Sequence, residues 1–198
     1  MSARKMDSGR LEAFTDGVMA IIITIMVLEL KVPENGELSA FYASAPILLA
    51  YSLSFVNVGL YWNNHHHLFH AVDKIDGNVL WANLFLLFWL SLVPFVIRWL
   101  DQSGFSDGAT AAYGVVLGMA AVAYELVERA IIARNGTNSA VARAIGSDRK
   151  GRISIALYTS AVPLAFFSRW TAILLYLVVI ALWLIPDRRI LREVEKVR

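Results

Sequence analysis

Apolar runs of about twenty residues, separated only by short polar breaks, constrain this chain more than any other feature. The first covers residues 11–32, and at about 1.5 Å per residue a helix of that length crosses the roughly 30 Å of hydrocarbon in a bilayer. Pro33, Asn35 and Gly36 end it. A second run covers residues 40–69, extending a turn or two beyond the bilayer, and a third covers 79–97. After turn signals from Ser103 to Gly108 comes a fourth, 109–133, whose last turns carry Glu125, Glu128 and Arg129 and are expected to leave the membrane. Residues 134–151 are polar and read as a loop with room for a short helix on the membrane surface. The apolar stretch 153–185 is too long for one span. Ser168 and Arg169 interrupt it, which divides it into helices over about 153–167 and 170–185.

The expected fold class is therefore an all-α integral membrane protein: six transmembrane helices in a single domain over 1–198, with a basic tail at 187–198 suited to anionic headgroups. Lys and Arg accumulate on the cytoplasmic side of membrane proteins. Under this topology fifteen of the 18 Lys and Arg residues fall on one side. Lys31, Arg98 and Arg169 fall on the other. The asymmetry supports the span count and places both termini in the cytoplasm. Arg4, Lys5 and Arg10 precede the first run as in a signal peptide, but that run contains Asp16 and lacks a small-residue cleavage site, so it reads as a retained helix.

Composition narrows the function classes. Hydrophobic residues make up 58% of the chain and charged residues 17%, with a mean hydropathy of +0.57. The net charge of +2 does not indicate nucleic-acid binding, because the basic residues sit at the ends of apolar runs and form no contiguous face with stacking aromatics. Cysteine is absent, which removes thiolate metal sites and thiol chemistry. No internal repeat of the kind found in inverted-repeat transporters is visible.

Asp16 is the strongest single signal, since an ionisable residue inside an apolar run needs a partner and marks a candidate site. At 100° per residue it points away from a stripe formed by Gly17, Ile21, Thr24, Ile25 and Leu28. The charge is expected to face neighbouring helices. The stripe faces either lipid or something else. Glu29, with Glu34 and Glu37 beyond it, could draw cations or simply solvate a loop. His65, His66, His67 and His70 are the only histidines of the chain. His66 and His70 would share a helix face, but a membrane metal site would need ligands from other spans, so no metal and no cofactor is expected. A structural role is expected instead, with His65 or His66, Asn64 and Asn83 satisfying Asp16 and Arg10. Gly114 and Gly118 form a small-xxx-small pattern that permits close helix packing.

The string Arg10, Phe14, Thr15, Asp16 resembles the Arg-x-x-x-Phe-Ser-Asp signature that opens the first helix of the transmembrane protein 175 family, with Thr15 where Ser is usual. Trp62, Asn64, His65, His66, Leu68 and Phe69 resemble that family's Trp-x-Asn-His-His-x-Leu-Phe stretch. Asn83 and the pair Pro94-Phe95 are similar to its third helix. The resemblance implies a potassium channel subunit of a prokaryotic cytoplasmic membrane, assembled as a homotetramer whose pore is lined by the first helix. Potassium ions and lipid are the implied partners. It places an aliphatic constriction at Ile21, a hydroxyl ring at Thr24 and a further aliphatic ring at Leu28. Such a ring can gate by dewetting, and Thr hydroxyls can partly replace hydration water. The rival readings are a proton-linked carrier using Asp16 and the histidines as a relay, and a membrane metalloenzyme built on the histidines.

Overall fold

The computed structural model describes residues 8–30, 42, 44–70, 72, 74–146 and 148–184. Among these, eight helices follow one another: α1 (Ser8–Leu28), α2 (Ala45–His70), α3 (Gly77–Ser91), α4 (Val93–Gln102), α5 (Asp107–Asn135), α6 (Ala140–Ile145), α7 (Arg149–Leu164) and α8 (Arg169–Leu184). No strand occurs among the described residues. Among the described residues three segments are long and apolar enough to cross a membrane, namely Ser8–Leu28, Ala45–His70 and Gly77–Gln102. Arg169–Leu184 is apolar but shorter. Expected and observed bounds differ by a few residues, and the tail at 187–198 lies outside the described residues.

The third apolar run is divided between α3 and α4. Pro94 has no N–H to give the carbonyl of Leu90, so the ladder loses a rung one turn earlier. The chain passes through Leu92 at φ −83°, ψ −10° and starts again with Pro94 in the first turn of α4. Asp76 starts α3, its Oδ1 accepting from the backbone N–H groups of Asn78 at 3.0 Å and Val79 at 3.1 Å. That cap satisfies donors otherwise orphaned at a helix start. Pro163 lies in the last turn of α7, which ends at Leu164. Pro46 occupies the first turn of α2, where its missing N–H costs no intrahelical bond.

The hub of the bundle is α5, which packs against α3, α4, α7 and α8. Its 29 residues extend about 44 Å. Its buried face is built from small side chains, with Ala109, Ala111, Gly114, Ala120 and Ala123 among them. Small residues let neighbouring backbones approach, which is how helices gain contact area when lipid offers no hydrophobic drive. Tyr176 of α8 uses that space. Its hydroxyl donates to the Thr110 carbonyl at 3.1 Å, and its ring crosses α5 where Gly114 has no side chain. Tyr113 of α5 shares a hydrogen bond of 2.8 Å with Ser54 of α2. Trp183 Nε1 of α8 donates to Ser154 Oγ of α7 at 2.9 Å.

On the other flank α1 packs against α2, α3 and α4. Its buried residues are Leu11, Thr15, Met19, Ile22 and Met26, a run of three- and four-residue steps that marks one helix face.

A Cβ at Gly114 would collide with the Tyr176 hydroxyl. Gly114→Ala should therefore lower stability by about 1–3 kcal/mol, the usual range for overpacking. Gly118→Ala, whose Cβ would meet the Tyr158 Cβ at 3.1 Å, should cost less. Thermal melts of the purified protein in one detergent check the order; indistinguishable melts for the Gly114 variant and the parent would contradict this packing.

Candidate functional site

Among the described residues, nothing covers the α1 face opposite its buried stripe. Gly17, Ile21, Thr24, Ile25 and Leu28 are all exposed, Ile21 at 58% and Leu28 at 79%. All five residues expected on one stripe thus share one unpartnered face. Phe14 is exposed as well. Within this face the Thr24 hydroxyl donates to the Ile21 carbonyl at 2.9 Å. With its hydrogen turned back into the helix, the oxygen keeps its lone pairs for whatever lies outside.

The buried face of α1 is anchored by a polar chain running across three helices. Asn83 Nδ2 of α3 donates to Thr15 Oγ1 at 2.8 Å, and Asn83 Oδ1 lies 3.0 Å from His65 Nε2 of α2. With the amide in this orientation His65 Nε2 is the donor, because the carbonyl oxygen only accepts. All three side chains are buried, so each bond satisfies groups that would otherwise be left unpaired away from water. The His65 ring stacks on Phe69 with centroids 4.3 Å apart.

Asp16 belongs to a different pair. Its Oδ1 accepts from Trp62 Nε1 at 2.8 Å, and it is exposed. The sequence reading directs the histidines and asparagines to Asp16; the structure directs His65 and Asn83 to Thr15 instead. One residue of separation is a 100° turn. It carries Thr15 into the α2/α3 groove and leaves Asp16 at its edge, where the long indole of Trp62 reaches it. The Trp62 ring in turn lies nearly parallel to His66, centroids 6.0 Å apart. Edge contacts link His66 to His67 and His70. Among the described residues no group of three His, Cys, Asp or Glu side chains is placed to hold a metal ion. Arg10 is exposed and stands apart from the Thr15 chain. Asn64 also stands apart, lining a small cavity of about 30 Å³ with Asn57, Tyr61, Tyr124, Glu125 and Asp148.

At the other end of α1 the helix tightens, with Glu29 N–H donating to the Met26 carbonyl at 3.3 Å. This turn directs Glu29 toward α4, where Arg98 Nη1 meets Glu29 Oε2 at 3.2 Å. Sequence reasoning left Glu29 between cation attraction and loop solvation and did not name Arg98 as its partner. The signal was available: Arg98 is one of three cations on the sparsely basic side, the same side as Glu29. Glu34 and Glu37 lie outside the described residues.

Residues 10–94 match the family model described as endosomal/lysosomal potassium channel TMEM175. A potassium channel of Chryseobacterium sp. (strain P1-3) is 50% identical over 191 residues, covering 96% of this chain and 100% of that protein. A potassium channel of Chamaesiphon minutus (strain ATCC 27169 / PCC 6605) is 32% identical over 179 residues, covering 84% of this chain and 88% of its own length. The fold is similar to the crystal structure of a lysosomal potassium-selective channel TMEM175 homolog from Chamaesiphon minutus, with a TM-score of 0.79 at 29% identity over 93% of this chain and 97% of that one. The apolar helices, the Arg10-to-Asp16 string and relatives matched over nearly their whole length lead to one assignment: this membrane protein belongs to the TMEM175 family.

Proposed function

We propose that the chain is one subunit of a potassium-permeable channel, a homotetramer in a prokaryotic cytoplasmic membrane that passes ions down their gradient without cofactor or chemistry. The observation that carries this reading is the uncovered α1 face. Its own subunit buries Thr15, Met19, Ile22 and Met26 and leaves Ile21, Thr24, Ile25 and Leu28 exposed, so α1 presents a regular stripe to a neighbour or an axis. One helix cannot wall a passage, and closed rotational symmetry around α1 supplies the remaining walls. The potassium channels named among the relatives support the choice of ion.

In this reading α1, α2, the α3–α4 pair, α5, α7 and α8 are the six spans of a single domain, and both termini are cytoplasmic, as the basic-residue asymmetry requires. Ile21 forms the constriction. A ring of sec-butyl groups excludes water and closes the passage by dewetting. Thr24 lies one turn beyond on the same face, its lone pairs turned outward by the bond to the Ile21 carbonyl, and Leu28 forms an outer aliphatic ring. The Thr15–Asn83–His65 chain and the Asp16–Trp62 bond set the rotation of α1 and so the aim of the stripe. A carrier that relays protons from Asp16 to the histidines is less well supported, because Asp16 is held by an indole N–H, a donor that does not ionise and so passes no proton on. His65 sits in a separate chain.

Ile21→Asn should wet the narrow point, raise single-channel conductance and reduce discrimination between potassium and sodium. Planar-bilayer recordings under opposed potassium and sodium gradients measure both, and currents identical to the parent's would reject Ile21 as the constriction. Asn83→Leu leaves Thr15 and His65 buried without partners, at a cost of about 1–3 kcal/mol for each unpaired group. It should reduce the yield and melting temperature of assembled protein while the channels that remain keep the parent's ion selectivity. A changed reversal potential at normal stability would move Asn83 into the permeation path and refute its assignment as an anchor.

A further inference from the structure

The outer end of α1 carries a charge pair that the pore reading does not use. Glu29 follows Leu28, the most exposed of the three aliphatic residues of the stripe, and is held by the backbone turn to Met26. Its carboxylate meets Arg98 at 3.2 Å, with the Arg98 side chain 57% exposed and that of Glu29 23% exposed. An exposed pair of this kind contributes little to stability. Its effect on the local potential is larger, because charges at the mouth of a narrow passage set the concentration of ions that can enter.

We propose that Arg98 sets the electrostatic potential of the outer pore mouth by neutralising Glu29. This inference rests on the channel reading above. In a tetramer the pair repeats four times around the axis, and with Arg98 in place each Glu29 carboxylate is compensated by a guanidinium 3.2 Å away. Each Glu29–Arg98 pair then adds no net charge to the field that potassium meets there. Removing the guanidinium would expose four carboxylates next to the Leu28 ring, and removing the carboxylates would expose four guanidinium groups. The other described ionic groups of this end, Asp101, Asp107 and Arg169, are unchanged in both variants, so the difference between them isolates the pair.

The direction of the two effects separates electrostatics from mechanics. If Arg98 only clamped α1 to α4, breaking the pair from either side would shift conductance the same way. If it sets the potential, the two breaks act in opposite directions. Arg98→Gln should raise inward single-channel potassium conductance by about twofold at roughly 0.1 M salt, where charges act over about 10 Å. Glu29→Gln should lower it by a similar factor. Both differences should vanish near 1 M salt, where the screening length is about 3 Å. The exchanged pair, Glu29→Arg with Arg98→Glu, restores neutrality and should restore the parent's conductance.

The measurement is single-channel recording of the purified full chain in neutral-lipid bilayers across that salt range. Shifts of the same sign in both single variants, shifts that persist at 1 M, or no shift at all would each overturn the proposal. Parent currents that respond to Ile21→Asn but not to the Arg98 and Glu29 variants would leave the pore reading standing and remove this inference alone. Absence of parent current would remove both.

Discussion

The rotation of α1 about its own axis is the setting on which the rest of this molecule depends, and hydrogen bonding in an apolar surround fixes it. Thr15, Asn83 and His65 meet at one level of three helices, where no water competes for their donors and acceptors. A turn of α1 by a single residue would move every side chain by 100°, break the Thr15 bond and bury a different stripe. Dispersion contacts alone hold the rotation less tightly, since Met19 and Met26 are unbranched and pliant. The polar bond resists such a slip, because its loss leaves groups unsatisfied. Which residues α1 buries and which it shows to the outside both follow from that one registration.

The second half of the molecule holds itself by a different means. Around α5, small side chains bring the helices together and buried tyrosines fill the resulting space, the Tyr113 hydroxyl meeting a side-chain partner and that of Tyr176 a backbone carbonyl. Tyr176 and Gly114 are matched in this way: the glycine gives room for the ring, and the ring gives the bundle a hydrogen bond to Thr110. Two kinds of glue thus divide the labour. The α5 region provides the support, and the three-helix polar chain orients α1, whose Ile21, Thr24, Ile25 and Leu28 are left exposed.

Two carboxylates bound the apolar part of the exposed α1 face. In the N-terminal half of the helix Asp16 is held by the indole of Trp62, a donor long enough to reach the edge of the groove and one that does not ionise at neutral pH. At the other end Glu29 is met by a guanidinium. Between them the exposed face contains a single polar side chain, Thr24, and even its hydrogen is turned inward. Through a passage lined this way, an ion would lose most of its hydration for little in return, which suits a barrier more than a binding site.

Much of this was legible in the sequence, and the reason is the solvent. Hydrocarbon demands continuous apolar helices of a fixed length, so α1, α2 and the paired α3 and α4 can be read from hydropathy, and the Gly17 to Leu28 stripe follows from helical spacing alone. The string from Arg10 to Asp16 was sufficient to indicate the family. Periodicity says which residues share a face of one helix, but not how one helix is rotated against another. Only the tertiary structure decided that Thr15 rather than Asp16 takes the Asn83–His65 chain, that Trp62 serves Asp16, and that Arg98 reaches Glu29. Those pairings join residues 46 to 69 positions apart, and they depend on angles and distances between helices that are set by the packing of the whole bundle.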